Sequence, residues 1–172
     1  MDIKEFLDRS AGKWFAQRTQ YHLSEGKAEN SKSEINIEML SADCQEVVSI
    51  CQQNQIEPRV TLGGQKISWD NSVDWGKTKQ KGTTIIVFLP DGELLNAGKL
   101  LSTADKTQQQ LIEGSYILAA DEALTLVTKN SKTYSEERLW FASPNLRLRT
   151  TLIKNSDGFS ATAFYSEIRR VG

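Results

Sequence analysis

Hydrophobic positions along this chain change period twice before residue 60. Residues 2–9 place Ile3, Phe6 and Leu7 on one face of a short helix, which Gly12 ends. From Lys13 to Leu23 the period drops to two. Trp14, Ala16, Arg18, Gln20 and His22 share one face, and Phe15, Gln17, Thr19 and Tyr21 the other. A turn is expected over Ser24–Asn30. Residues 32–40 then alternate cleanly, Ile35, Ile37 and Met39 against Glu34, Asn36 and Glu38, which reads as a half-buried strand. Between 41 and 54 the period returns to that of a helix. Cys44, Val47, Val48 and Cys51 fall at i, i+3, i+4 and i+7, with Ser41 as N-cap and Asp43 in the first turn. Pro58 forbids continuation.

Everything beyond Pro58 reads as strand and turn. The expected strands are 59–62, 65–70, 83–89, 94–101, 115–120, 123–129, 133–142, 146–154 and 159–170. Turns fall at Gly63-Gly64, Asp91-Gly92, 120–122 and 155–158. Residues 71–82 form the longest polar link. Roughly ten strands on short connections, with no strand–helix–strand alternation, predict an all-β protein: an antiparallel up-and-down barrel or a sandwich. A ten-stranded barrel has more interior than side chains must fill, so it can enclose a ligand.

Composition narrows the functions. At 172 residues the chain suits one domain spanning 1–172. A net charge of -1 lacks the basic excess of a generic nucleic-acid binder. No apolar run approaches the ~20 residues of a membrane helix, and the N-terminus has no signal-peptide pattern. A cytoplasmic or other intracellular location is expected. Two Cys and one His are too few for a zinc framework, so no metal site is expected.

Single residues carry more. Cys44 and Cys51 are ~10 Å apart along a helix, too far for a disulfide, and read as small buried hydrophobes. His22 has no partner ligands and reads as a rim histidine. Arg147 and Arg149 alternate with leucines, so both guanidinium groups leave one strand on the same side, ~7 Å apart. If the leucines face the core, the arginines are solvated. If the arginines face a cavity, they form a two-pronged receptor for carboxylates. Glu136 and Glu137 precede them, able to pair with an arginine or to meet a ligand nitrogen. Trp69 and Trp75 flank a polar, turn-like stretch, where large rings suit a barrel mouth over a flat ligand.

Three stretches resemble one family. They are Ser10-Ala-Gly-Lys-Trp14-Phe-Ala-Gln-Arg18-Thr19, Glu137-Arg-Leu-Trp140-Phe-Ala-Ser-Pro144-Asn-Leu-Arg147-Leu-Arg149-Thr150, and Phe159-Ser followed by Ser166-Glu167-Ile168-Arg169. They look like the S-type phycobiliprotein lyases, the CpcS/CpeS group of cyanobacteria and related algae, and the likeness runs from about residue 2 to 170.

The resemblance implies a ten-stranded antiparallel barrel of the lipocalin or fatty-acid-binding type, with a short N-terminal helix and one helix at about 41–54. It implies a protein that binds a free linear tetrapyrrole, phycocyanobilin above all, and attaches it by a thioether to a cysteine of a phycobiliprotein subunit. That acceptor would be the α or β subunit of phycocyanin, allophycocyanin or phycoerythrin, in the cyanobacterial cytoplasm or a plastid stroma. No metal and no permanent cofactor are implied; the bilin is substrate. Glu137 and Arg147 become the catalytic residues. Arg18, Trp69, Trp75, Trp140, Asn145, Arg149, Thr151, Tyr165 and Glu167 become bilin contacts, the arginines gripping the two propionates. The alternatives are a carrier of bilins or fatty-acid-like ligands, and the non-catalytic half of a two-subunit lyase. Pairing with a second copy or a paralogous lyase subunit fits the same family. The links at 76–82 and 103–114 do not align with it and are candidates for choosing the acceptor.

Overall fold

The computed structural model describes residues 1–103 and 111–171. Ten antiparallel strands close into one barrel. They are β1 (Gly12–His22), β2 (Lys27–Leu40), β3 (Gly64–Asp70), β4 (Lys81–Asp91), β5 (Leu94–Thr103), β6 (Leu111–Leu118), β7 (Leu124–Lys129), β8 (Thr133–Ser143), β9 (Leu146–Asn155) and β10 (Gly158–Arg169). Sequence neighbours pair throughout, and β1 closes the ring by pairing β10 as well as β2. The expected up-and-down barrel is therefore observed, and closure leaves no free sheet edge along most of its height.

The alternation read from the sequence decides what goes inside. Trp14 and Ala16 on β1 are buried, and their cross-strand partners Ile35 on β2 and Glu167 on β10 are buried with them. On β4 and β5 the two faces separate into two cores. Phe88 and Leu100 point inward to α1 (Ile3–Ser10), while Val87 and Leu101 point outward to α2 (Gln45–Gln53).

The helix α1 plugs one end of the barrel. Asp2 caps it by accepting from the Glu5 N–H, and Ile3, Phe6 and Leu7 pack on Tyr116, Leu118, Leu124 and Leu139. The Leu7 carbonyl accepts a hydrogen bond from the buried Gln65 side chain, so the plug is tied to the wall as well as packed on it. The opposite end carries the β1–β2, β3–β4, β7–β8 and β9–β10 connections, and no helix among the described residues covers it.

Some expectations shift. The α2 helix begins at Gln45 rather than 41, because the Ser41 hydroxyl bonds Asp43 and caps nothing. Its buried face is Val47, Ile50 and Cys51, with Cys44 half-buried at the N-cap position. The strand expected at 59–62 is instead a single 3-10 turn, Pro58–Val60, since Pro58 fixes the backbone for a helical start. The β2 strand starts at Lys27, inside the expected turn, and β6 starts at Leu111 rather than 115. The expected 103–114 link falls largely on 104–110, outside the described residues.

Candidate functional site

Pairing across β1, β10, β9 and β8 stacks interior side chains in levels. The deepest holds Ala16, Glu167, Arg147 and Phe141; the next holds Arg18, Tyr165, Arg149 and Leu139; the third holds Gln20, Ala163, Thr151 and Glu137. The sequence left open whether Arg147 and Arg149 face outward. They face inward, and Leu146 and Leu148 face out.

Charge is concentrated in these levels. Glu167 is fully buried and accepts from Arg147 Nε at 2.8 Å and Arg149 Nη2 at 3.2 Å. Arg149 Nη1 lies 3.7 Å from Glu137, and its guanidinium stacks over the Tyr165 ring at 3.7 Å. Burial alone would raise the Glu167 carboxyl, but the guanidinium groups of Arg149 and Arg147 outweigh it and hold the group below its ordinary value. Burial would likewise lower Arg149, but Glu167 and Glu137 outweigh it and raise the guanidinium. Glu167 and Arg149 are therefore both charged at neutral pH.

The charge network is incomplete. Arg149 Nε and Arg18 Nε are both buried and lack a hydrogen-bond partner among the described residues. Arg18 forms no ion pair among the described residues. Buried guanidinium donors without acceptors are costly. Here both flank Tyr165, one on each side, and the next level up is kept shallow by Ala163 and Thr151. A ligand bearing carboxylates would satisfy both.

Below them lies a floor. Trp14 is fully buried, donates its indole N–H to the Ser10 carbonyl, and lies between the guanidinium groups of Arg169 and Arg147, 4.2 and 5.4 Å from its ring. Arg169 also donates to the Ala11 carbonyl at 2.7 Å. Sequence reasoning missed Arg169 as a fastener of this floor. Its pairing with Trp14 exists only once β10 meets β1, a contact between chain ends that no local pattern carries.

Four expected site residues sit apart from this cluster. Trp140 faces outward because it falls between the inward Leu139 and Phe141, and Arg138 covers its ring at 5.2 Å. Asn145 lies exposed in the β8–β9 turn at the plugged end, where its carbonyl accepts from Arg169 N–H. Trp69 faces inward near the open end, its ring lying where a Gly82 side chain would be, and remains 39% exposed. Trp75, in the β3–β4 connection, is 91% exposed. His22 stands at the open rim, 3.4 Å from Glu29. A separate groove of about 720 Å³ crosses the outer face of β1–β4, past Lys13, Asn36, Ser68 and Thr83.

A closed barrel plugged at one end, with charged and unpartnered groups in its interior, defines the ligand-enclosing class of lipocalin-like β-barrels. Comparison with known proteins names the branch. The family model described as CpeS-like protein matches residues 2–170. A chromophore lyase CpcS/CpeS of Thermosynechococcus vestitus is 44% identical over 98% of this chain and 93% of its own. The phycocyanobilin lyase subunit CpcS of Picosynechococcus is 34% identical over 98% of this chain and 86% of its own. The solved structure of the S-type phycobiliprotein lyase CPES from Guillardia theta superposes with a TM-score of 0.85 at 28% identity, covering 100% of this chain and 94% of that one. The chain belongs to the CpcS/CpeS-like chromophore lyase family.

Among the described residues no helix is long and apolar enough to cross a membrane, and no group of three His, Cys, Asp or Glu side chains is placed to hold a metal ion.

Proposed function

We propose that this protein binds a free linear tetrapyrrole, phycocyanobilin in the first instance, inside the open half of the barrel. It then directs attachment of the pigment to a cysteine of a phycobiliprotein subunit. The observation that carries this reading is the pair of buried, unpartnered guanidinium donors on Arg18 and Arg149. A bilin has two propionates, and each donor lacks one acceptor. Arg147 and Glu167 sit one level deeper and are bonded to each other. Their part is to hold Arg149 in place and charged. Tyr165 and Thr151 line the wall beside the clamp, and Trp69 covers the flat rings from the open end.

The chemistry is an addition. The acceptor thiol adds across the ethylidene double bond of the bilin A ring. A sulfur–carbon bond forms, the thiol proton passes to the pigment, and nothing leaves. A protonated bilin is the better electrophile. Glu137, half-buried beside Arg149 at the upper level, is the carboxylate placed to stabilise that cation. The nucleophile belongs to the acceptor, so orientation of the bound pigment is the protein's main contribution. Cys44 and Cys51 lie with the outer α2 core and take no part.

The test mixes purified protein with phycocyanobilin, records the absorption spectrum, and then adds apo-phycobiliprotein subunits. A red-shifted, intensified band followed by pigment that survives denaturation on the acceptor is the expected result. A protein that leaves the bilin spectrum unchanged would overturn the reading. Glu137→Gln is expected to keep the bound spectrum and slow attachment. Equal attachment by that variant would leave a carrier of bilins or similar acids. A second reading is favoured by the relative named as a lyase subunit: one half of a two-subunit enzyme. It predicts pigment binding without transfer until a paralogous partner is added.

A further inference from the structure

The β3–β4 connection, residues 71–80, presents a tryptophan to solvent on a loop that is otherwise tied down. Asn71 is its anchor. Its N–H donates to the Gln80 carbonyl, its side-chain oxygen accepts from Gln80 N–H at 2.6 Å, and its side-chain NH2 donates to the Thr78 carbonyl at 2.9 Å. Its own carbonyl accepts from Asp74 N–H at 2.9 Å.

The loop is also fastened to β2. That strand pairs with β3 only from Glu34 onward, so its first half has an unpaired edge. Asp74 accepts from the Lys32 N–H at 2.9 Å, and the Lys77 ammonium donates to the Asn30 carbonyl. Gly76, with φ of 85°, turns the chain directly after Trp75 and leaves the indole at the apex.

Nothing in this arrangement uses the indole. Trp75 makes no hydrogen bond, ring contact or cation–π contact among the described residues, and it is 91% exposed. A tryptophan offers on the order of 150–250 Å² of surface to bury. A rigid loop that keeps it out of the fold has the form of a binding hot spot, with the ordering cost already met. Lys77, Lys79 and Lys81 are exposed on or next to the same connection, with the exposed Asp70 near Lys79 and Lys81, while Asp74 is already engaged by β2 and Lys77. The loop starts one residue after β3 ends at Asp70, beside the inward-facing Trp69, so it stands on the rim of the open end.

We infer that the 71–80 loop is the docking site for the acceptor protein, with Trp75 entering an apolar socket whose rim is acidic. This rests on the proposed lyase function and names the surface that brings the acceptor cysteine to the mouth. It assigns Trp75 to the partner rather than to the pigment.

The experiment uses the full chain in two arms. The first measures direct binding of apo-phycobiliprotein subunits by titration calorimetry. The second measures the initial rate of attachment against acceptor concentration, with the protein preloaded with phycocyanobilin. For Trp75→Ser the expected results are a tenfold or greater loss of acceptor affinity, an equal rise in the acceptor KM, and an unchanged pigment spectrum. Trp75→Phe should recover most of the affinity. Asn71→Ala, which loosens the loop but keeps the indole, should lose part of it. Raising the salt should weaken acceptor binding by the wild type. Unchanged acceptor affinity in Trp75→Ser overturns the inference, as does loss of the pigment spectrum in that variant, which would make Trp75 a pigment contact. A wild type that binds acceptor through Trp75 yet attaches no pigment would sink the lyase reading and keep the docking site.

Discussion

The two ends of the barrel interior are built on opposite principles. At the plugged end, Ile3, Phe6 and Leu7 of α1 meet Phe88, Leu100 and Leu139 in a buried apolar core. Beside Leu139 and Phe141 themselves, and on toward the open end, the wall of β1, β10, β9 and β8 carries Glu167, Arg147, Arg149, Glu137 and Arg18. The first region is complete by itself, since every apolar side chain there has neighbours. The second is not, since two guanidinium donors have no acceptor among the described residues. Stability is concentrated at one end and unmet bonding capacity at the other, which is the division a receptor needs.

The largest way to break this contrast is to remove the one carboxylate on which the charged region depends. Glu167→Leu leaves Arg147 and Arg149 buried without their shared counter-charge. The expected loss is ~3–5 kcal/mol of folding stability, read as a lowered urea midpoint at constant slope. A loss below ~1 kcal/mol would mean that the arginines rehydrate, and that the region is not rigid. At the other end, Leu7→Ala is expected to cost ~2–5 kcal/mol through the cavity it opens. Its pigment spectrum should be retained under conditions where it is folded, because the plug takes no part in the clamp.

Acid should separate the ends in a milder way. The folded value of Glu167 is depressed by its two arginines. Its contribution is therefore present above the unfolded carboxylate value, ordinarily 4.5, and is lost as pH falls through the lower folded value. Urea midpoints of the wild type should fall with acid below about pH 4.5. In Glu167→Leu that part of the slope should be absent. A wild-type slope identical to the variant's would show that Glu167 is not held down.

How much of this was legible in the sequence follows from the range of the interactions. The period-two faces of β1 and β2 and the turns at Asp91-Gly92, 120–122 and 155–158 are local, and the sequence carries them, whereas the turn expected at Gly63-Gly64 gives way to β3, which starts at Gly64. The direction of Arg147 and Arg149 was not legible from spacing alone, because leucines and arginines alternate there and either set could face the core. Closure decides it: β9 lies between β10 and β8, and the inward registers of Glu167 and Leu139 fix that of Arg149. Trp140 was misplaced through its family stretch, although its alternation with Leu139 and Phe141 already carried the answer. The 3-10 turn at Pro58–Val60 was missed because a lone proline followed by polar and β-branched residues is compatible with a strand start as well.

The smallest expected effect on folding is the most informative. Arg18 has a buried Nε with no acceptor, and no ion pair, among the described residues, so burying that donor costs solvation without a matching interaction. Replacing it by Met keeps the length and apolar stem of the side chain and removes the orphaned donor. Folding stability of Arg18→Met should be unchanged or raised by up to ~1 kcal/mol, as seen in the urea midpoint. Pigment affinity should fall by ~1.5–3 kcal/mol, the worth of one charged hydrogen bond. A residue kept for the fold would move both quantities in the same direction. Arg18→Met should move them apart, and a variant that lost stability while binding pigment normally would return Arg18 to the structural side of the barrel.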